Sequence, residues 1–385
     1  MAVHTGEELA MHNESTLDEK HVLLIAHGLD NVGEMARLWG VIESLLHASP
    51  SVSITVICRY KQDRDNIQRY ILGRNLTNVD VKRHPWLIET RWMTLTAALS
   101  GITMLSSFLL AAIRCVFSRI GRNLVKRVYH QYDLVIDLNI ADLSDANLGC
   151  ILGSILALAN LSYDTLSGKA VVTCSASIRG FGRFFWSTIF HIWCNLVCNR
   201  LRLIIVRDKV TYSTLRDLGI TKPQMQVYPD FAFLGFSVAG NNPVIHSQQN
   251  KHASSDKSLI AIIPRWREAG FLHHKTRFKE PQLVAKLGDF CVENFNAEIL
   301  FIPFSFGSFY DDVGLCHAAK GQMRHKEQAS VINTCQINEI KEIMRQCTLC
   351  LSFRLHGSVA SSCWGIPSVI ISSFPSPKFA EVISY

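Results

Sequence analysis

The sequence predicts an α/β protein made of two Rossmann-like domains that face each other across a cleft. Short apolar runs alternate with longer helical segments, which is the pattern of βαβ units and parallel sheets. This pattern occurs twice, and a polar stretch rich in Ser, Asn and Gln at 237–257 reads as a linker or exposed loop between the two series. With 385 residues, each domain is long enough to bury its own core.

The N-terminal domain is predicted to span 21–236, after a polar tail at 1–20 that lacks the apolar core of a signal peptide. Its strands are expected where short apolar runs occur, and its helices between them. The predicted strands lie at 21–26, 53–58, 134–138, 171–175 and 203–206. The predicted helices lie at 33–46, 63–72, 92–113, 146–158, 184–198 and 211–218.

The C-terminal domain is predicted to span 258–385 by the same criteria. A helix is expected to be under way where the sequence stops at Tyr385, so we expect this domain to be incomplete. Its predicted strands lie at 259–264, 299–303, 349–353 and 368–371. Its predicted helices lie at 281–295, at 337–347 and from 357 onward.

Composition favours a folded protein and leaves its partners open. Hydrophobic residues make up 48% of the chain and charged residues 18%, which argues against disorder. The net charge of +7 suits an anionic substrate, a membrane surface or nucleic acid. The basic residues form no stripe interleaved with exposed aromatics, so we expect no nucleic-acid partner. The twelve cysteines lack disulfide or zinc-site spacing, so we expect buried thiols and no metal site.

One apolar segment leaves membrane contact open. Residues 92–113 carry no charge, and the basic stretch RCVFSRIGRNLVKR follows them. Their length and basic flank are compatible with a membrane span, a helix on the membrane surface or a core helix. The aromatic stretch at 181–202 raises the same question. We expect the protein in the cytoplasm or at the cytoplasmic face of a membrane, or at a secretory-pathway membrane if the source is eukaryotic.

Ligands in open α/β sheets bind where strands end and helices begin, and two such places precede residue 200. After the first predicted strand come Asn31, Gly33 and Glu34, which form either a ligand-binding turn or a plain turn capped by Asn31. After the fourth comes SASIRGFGRF, with Ser177 and Arg179. This segment either cradles an anion with its backbone N–H groups or is a flexible connection.

Two further strand ends carry arginine. Arg207 ends the fifth predicted strand and faces either the cleft or Asp208, which we expect to cap the next helix. Arg265 and Arg267 follow the first strand of the C-terminal domain. Either one of these arginines points into the cleft, or both are solvated at the surface.

The sequence LCLSFRLHGSVASSCW gives the strongest signal. Arg354, His356 and Gly357 lie between a buried strand and a helix whose N-terminus offers free N–H groups to an anion. Arginine binds carboxylate or phosphate through two parallel N–H groups, and histidine transfers protons near neutral pH. The alternative is a structural arginine beside a capping histidine.

Taken together, these stretches resemble the polysaccharide pyruvyl transferase family over residues 21–380. Three departures from the family pattern stand out. Glu34 replaces an aspartate, Asn139 and Ala141 occupy the region where the family usually has a glycine pair, and we expect the family's C-terminal segment to be missing. The matching pieces are N-V-G-E (31–34), the apolar helix before Y-D-L-V-I-D (132–137), S-I-R-G-F (177–181), V-R-D-K-V-T-Y-S-T-L (206–215), Y-P-D-F-A-F (228–233), R-L-H-G (354–357), G-I-P-S-V-I-I-S (365–372) and Lys378.

The resemblance implies a fold similar to the glycosyltransferase B fold and transfer of a pyruvyl group from phosphoenolpyruvate to two hydroxyls of a saccharide, forming a ketal. It implies no cofactor beyond this donor, with His356 and Arg354 as catalytic residues. The residues implied to bind phosphoenolpyruvate are Arg207, Arg265, Arg354, Leu355, His356, Gly357 and Lys378. The residues implied on the acceptor side are Asn31, Gly33, Glu34, Ser177 and Arg179.

Two other functions stay open. A glycosyltransferase of the same fold would use a nucleotide sugar, and such enzymes commonly hold the ribose with a glutamate on the helix that follows the glycine loop. The corresponding segment here, GSVASSCWGIP, contains no acidic residue. A non-catalytic relative would bind a sugar or a membrane without turnover, and the altered first motif is compatible with that function.

Overall fold

The computed structural model describes residues 20–26, 29, 31–58, 64–65, 67–68, 71–72, 74–83, 119–138, 143, 148–178, 187–238, 257–265, 280–306 and 312–372. The apolar segment 92–113, Arg179, Arg267 and Lys378 lie outside these residues.

The N-terminal sheet consists of seven parallel strands in the order β3-β2-β1-β4-β5-β6-β7. Each pair of neighbours is parallel, so all seven strands end at the same edge of the sheet. The strands are β1 (His21–Ala26), β2 (Ser53–Cys58), β3 (Val79–Arg83), β4 (Leu134–Asp137), β5 (Ala170–Ala176), β6 (Leu203–Val206) and β7 (Gln224–Val227).

The C-terminal sheet consists of five parallel strands in the order β10-β9-β8-β11-β12. Two doubly wound parallel sheets confirm the predicted α/β class with two Rossmann-like domains. The strands are β8 (Ser258–Ile263), β9 (Ala297–Phe301), β10 (Ala329–Val331), β11 (Leu349–Ser352) and β12 (Ser368–Ile370).

Helices connect these strands in both domains, as the rule for parallel crossovers requires. They are α1 (Val32–Ala48), α2 (Arg119–Tyr129), α3 (Leu148–Leu166), α4 (Ser187–Cys198), α5 (Lys209–Asp217), α6 (Phe231–Val238), α7 (Glu280–Phe295), α8 (Asp312–Gln322), α9 (Ile337–Met344) and α10 (Leu355–Cys363). Among the described helices, none is both long and apolar enough to cross a membrane.

Helix α6 holds the two domains together. Its Gly235 lies so close to α1 that an added Cβ would stand 1.8 Å from the Ala36 carbonyl oxygen. On its other side, the Trp364 indole donates a hydrogen bond of 3.0 Å to the Phe236 carbonyl. One hydrophobic cluster consequently contains residues of both sheets, for example Leu24 and Ile263.

Candidate functional site

The carboxyl ends of the two sheets meet at the start of α1. Asn31 forms a β-bridge with Ser305, and the Val32 amide donates to the Phe304 carbonyl at 2.9 Å. Asn31 also caps α1, because its side-chain oxygen accepts from the Gly33 amide at 2.9 Å. The strand ends of both domains therefore face one cleft, where doubly wound proteins bind ligands.

Asp230 is the buried acidic residue at this meeting point. Its Oδ2 accepts from Arg207 Nη1 at 3.1 Å and lies 3.7 Å from His356 Nε2. Its Oδ1 accepts from the Ala232 amide at 3.0 Å and from the Ser175 hydroxyl at 3.3 Å. Arg207 reaches this position because β6 ends beside β7, and Arg207 follows directly after β6.

The charges around Asp230 keep its carboxylate ionised. Burial acts to raise the pKa of Asp230, but the proximity of His356, followed by the positive charges of Arg207 and Arg37, brings that pKa well below its usual range. The 3.7 Å separation from His356 exceeds hydrogen-bond length, so this contact is an electrostatic one. A permanent carboxylate beside an imidazole suits proton transfer by that imidazole.

Ser175 reaches Asp230 through an irregularity in β5. The register with β6 shifts between Thr173 and Ala176, and Ser175 has a φ of 54°, in the left-handed region that non-glycine residues rarely adopt. Its hydroxyl donates to Asp230 and accepts from the Phe231 amide at 3.2 Å. The bulge therefore fixes both the carboxylate and the start of α6.

His356 crosses from the C-terminal domain to the N-terminal domain. It lies in the first turn of α10, and its imidazole packs on Gly33 at the start of α1. A Cβ added at Gly33 would stand 1.9 Å from His356 Nδ1, so this contact requires glycine. Domain packing therefore sets the distance between His356 and Asp230.

Arg354 pairs with a buried acid of its own domain. Its Nη2 donates to Asp312 Oδ1 at 2.7 Å, and its Nε lies 2.6 Å from Asp312 Oδ2. Burial raises the pKa of Asp312, an effect that the Arg354 charge and the amides of Phe304 and Ser305 only partly offset. The pair ties the start of α10 to the start of α8.

The N-terminus of α10 is packed tightly against the sheet. A Cβ added at Gly357 would stand 2.3 Å from the Ser352 hydroxyl and 2.8 Å from Ile263 Cδ1, so only glycine allows this approach. Ser358, in the same turn, is 1% exposed, and its hydroxyl has no hydrogen-bond partner among the described residues. A helix N-terminus with an unsatisfied buried hydroxyl is a suitable site for an anion.

A family model described as polysaccharide pyruvyl transferase matches residues 31–373, which is most of the chain. The chain belongs to the polysaccharide pyruvyl transferase family. No individual curated protein sequence matches this family member significantly.

Solved structures similar to this pyruvyl transferase family member have two-domain folds of the glycosyltransferase B type. UDP-GlcNAc 2-epimerase from Neisseria meningitidis, bound to UDP-GlcNAc, has a TM-score of 0.60 at 11% identity, covering 94% of this chain and 85% of the other. The S. aureus MnaA–UDP co-structure has a TM-score of 0.57 at 10% identity, covering 92% and 79%. UDP-GlcNAc 2-epimerase from Methanocaldococcus jannaschii has a TM-score of 0.53 at 12% identity, covering 95% and 92%. At these identities the likeness shows the fold, and the predicted similarity to the glycosyltransferase B fold is confirmed.

The structure brings several predicted site residues of the family member together. The cleft is lined by Asn31, Gly33, Arg207 and His356. Arg354, two residues before His356, is paired with Asp312. Arg207 was expected to face either the cleft or Asp208, and the structure shows it paired with Asp230 at the cleft. Asp208 caps α5 by accepting from the Thr211 amide.

The remaining predicted residues have other surroundings. Glu34 forms an ion pair with Arg37, and Ser177 is buried just after β5, where its carbonyl accepts from the Leu143 amide at 3.2 Å. Arg265 lies two residues past β8, at the same edge of the C-terminal sheet as α10.

Sequence reasoning did not single out Asp230, Asp312 or Arg37, and it noted Ser175 only as one of the two serines of SASIRGFGRF. Arg37 is 3% exposed and donates to the Leu138 carbonyl at 2.8 Å, which ties α1 to the end of β4. One signal was present, since Arg37 is an isolated cation in an apolar helix, four residues after Gly33 and therefore on the same helix face. Asp230 was part of the quoted Y-P-D-F-A-F stretch, but no feature of that stretch revealed its partners.

Proposed function

We propose that this protein transfers a pyruvyl group from phosphoenolpyruvate to two hydroxyls of a saccharide and forms a cyclic ketal. The observation that carries the proposal is the position of His356, which lies between the N-terminus of α10 and the ionised Asp230, on the floor of the cleft between the domains. Membership of the polysaccharide pyruvyl transferase family supports the reaction class.

The proposed donor site lies at the start of α10. Phosphoenolpyruvate carries a phosphate and a carboxylate, so cations and free N–H groups should surround it. We assign these roles to Arg207, Arg265 and Arg354, to Lys378, and to the backbone amides of Leu355 and His356. Gly357, whose amide donates to the Arg354 carbonyl at 3.1 Å, would contribute its lack of a side chain. The Ser358 hydroxyl, which has no partner within the described part of the chain, adds a donor in the same turn. These groups can neutralise the donor's charge, so the proposal invokes no cofactor.

In the proposed reaction His356 acts as acid and base. Protonation of the donor's methylene carbon produces an oxocarbenium-like centre at the adjacent carbon, to which one sugar hydroxyl adds after losing its proton. Inorganic phosphate then leaves with its bonding electron pair, and the second hydroxyl adds to the same carbon and closes the ring, its proton passing to the departing phosphate. Asp230 holds the imidazole in position and balances its positive charge when it carries a proton. Arg207 and the helix N-terminus stabilise the charge on the departing phosphate.

The acceptor is proposed to enter from the N-terminal domain, beside Asn31, Gly33 and Glu34. Ser177 follows β5 at the same edge of the sheet. We also assign Arg179 to the acceptor side, from the family resemblance. The saccharide would then approach His356 from the side opposite the donor. This arrangement requires both domains for one reaction.

Mass spectrometry of a panel of simple glycosides incubated with the protein and phosphoenolpyruvate tests the proposal, with phosphate release measured in parallel. The expected product is heavier by one carboxyethylidene group and is absent with His356→Ala and Arg354→Ala. His325→Ala is a matched control, because His325 contacts Glu293 on α7 and lies partly exposed. Full activity of both site variants would contradict the assignment.

Thermal-shift measurements with phosphoenolpyruvate and with UDP distinguish the proposed reaction from the alternative functions. Stabilisation by UDP and none by phosphoenolpyruvate would favour a nucleotide-sugar glycosyltransferase. Stabilisation by phosphoenolpyruvate without product or phosphate would favour a non-catalytic relative.

A further inference from the structure

We propose that the edge of the N-terminal domain opposite the cleft, called here the amino edge, docks on a lipid membrane of net negative charge. The amino edge is formed by the segments that lead into β4, β5, β6 and β7. Each of these segments carries one or more cations, and an exposed apolar stripe on α4 continues from the same edge. This proposal is independent of the reaction proposed above.

The cations form a row because the strands are neighbours. Since β4, β5, β6 and β7 are adjacent and parallel, the residues that precede them lie side by side along one edge. One link within the row is direct, as Lys169 Nζ donates to the His130 carbonyl at 3.0 Å. The cations in these segments are Lys126, Arg127, Lys169, Arg200, Arg202, Arg216 and Lys222, all but Lys169 in exposed positions.

Acidic residues offset little of this charge. Among the described residues of these segments, the exposed acids are Asp133 and Asp217. One carboxylate oxygen of Asp133 is already hydrogen-bonded, because its Oδ2 accepts from the His21 amide at 2.9 Å. Several cations on one surface attract anionic lipid, and each contributes additively to the affinity.

The apolar component lies on α4, next to the row. Ile192 and Leu196 are 57% and 55% exposed and occupy positions i and i+4, so they lie on one face of the helix. The opposite face packs into the core through Phe190 and Cys194. Arg200, four residues after Leu196, continues the same face into the cation row.

Helix packing makes this a single surface. Helix α3 contacts α2 on one side and α4 on the other, so the three helices cover one face of the sheet. Lys126 and Arg127 end α2, at the same edge as Arg200 beyond α4. A surface that combines cations with exposed aliphatic side chains suits the headgroup and acyl boundary of a bilayer.

Lipid fits this surface better than nucleic acid does. Single-stranded nucleic acid is held by aromatic stacking together with charge, whereas the exposed side chains on α4 are aliphatic. The amino edge also faces away from the cleft, because the cleft lies at the carboxyl ends of the strands. Docking there would therefore leave the cleft open to substrates.

Cosedimentation of the full chain with vesicles tests the proposal, using phosphatidylglycerol mixed with phosphatidylcholine against phosphatidylcholine alone at physiological salt. We expect binding to the anionic vesicles only. The Lys126→Gln/Arg127→Gln variant should bind about 25-fold more weakly, at about fivefold for each cation. The Ile192→Ser/Leu196→Ser variant should bind roughly tenfold more weakly, because two side chains can no longer insert.

The matched control is Leu283→Ser/Phe290→Ser, which removes two similarly exposed apolar residues, 47% and 52%, from α7 in the other domain. Its vesicle binding should equal that of the wild type. Turnover of a soluble glycoside should be unchanged in all three variants, so a loss of docking is distinguishable from a failure of the proposed reaction. Circular dichroism and thermal melting check that each variant is folded.

Three outcomes would overturn the proposal. The first is failure of the wild-type chain to sediment with anionic vesicles. The second is undiminished binding by the charge variant. The third is binding to single-stranded RNA that competes with vesicles and does not change in the Ile192→Ser/Leu196→Ser variant, which would identify a general polyanion surface instead.

Discussion

The imidazole of His356 occupies the space that a side chain at position 33 would fill. Helix α10 carries the histidine, helix α1 carries Gly33, and the two helices belong to different domains. The position of the proposed acid–base residue is therefore decided by contact between domains. Adding one methyl group at Gly33 should lower activity while keeping the histidine, and is therefore a more specific test of this contact than removal of His356.

Gly33→Ala is expected to reduce kcat by about 100-fold, a loss within the range attributed to general acid–base groups. The added Cβ would overlap the imidazole and displace it from Asp230. Steady-state kinetics with phosphate release measures the effect. Gly321→Ala on α8 is the control, because an added Cβ there meets no atom of the described residues within 4 Å, and it should leave kcat unchanged. Equal kinetics for both variants would show that the Gly33–His356 contact is unimportant.

Asp230→Asn is expected to destabilise the protein by about 3–5 kcal/mol at pH 7, because the buried Arg207 then loses its ion pair with Asp230. The lowered pKa of Asp230 fixes the pH dependence. The carboxylate contributes stability that is fully present above the unfolded-state pKa of about 4 and is lost as the pH falls toward the folded-state value. Urea unfolding between pH 7 and pH 3 should therefore show a smaller loss of stability for the variant than for the wild type. A parallel loss in both proteins would contradict this.

Variants of the Arg354–Asp312 pair test whether Arg354 binds substrate or only stabilises the fold. Arg354→Met and Asp312→Leu should each cost about 3–5 kcal/mol, since each leaves a buried partner unpaired, while the double variant should recover most of that loss. Denaturant titration gives the stabilities, and phosphate release gives the activity. If Arg354 also binds phosphoenolpyruvate, the double variant is stable but inactive. Recovery of activity together with stability would make Arg354 purely structural.

Gly235→Ala tests the helix contact behind the cleft. An added Cβ would stand 1.8 Å from the Ala36 carbonyl oxygen, so α6 must move away from α1. We expect destabilisation of about 2–3 kcal/mol, in the range of overpacked cores, and weaker ligand binding because α6 follows Asp230. The change in Tm with and without phosphoenolpyruvate measures both effects. A Tm unchanged from the wild type would mean that the helices can separate freely.

Buried strands were the easiest elements to predict. The first two, HVLLIA and SITVIC, have the predicted bounds because every residue but the first is buried, so the sequence must be apolar. Strand β7, QMQV, was not predicted because it lies at one edge of the sheet and its side chains are mostly exposed. Burial leaves an apolar pattern in the sequence, whereas an exposed edge strand depends on backbone pairing, which few residue types other than proline prevent.

The candidate site was predicted only in part, for a similar reason. The end of β11 and the start of α10 are neighbours in sequence, so Arg354, His356 and Gly357 could be recognised together. Asp230 lies 126 positions before His356, and Asp312 lies 42 before Arg354. Such pairs depend on how helices and domains pack, which local patterns do not specify.

The hydrophobic cluster that includes residues of both sheets has a consequence for how the chain comes apart. Either half alone would expose apolar surface that α1, α6 and α10 now cover for each other, at a cost of roughly 25 cal/mol per Å². Calorimetry should therefore record one cooperative melting transition for the whole chain, with equal calorimetric and van't Hoff enthalpies. The two domains would then have a single, common stability.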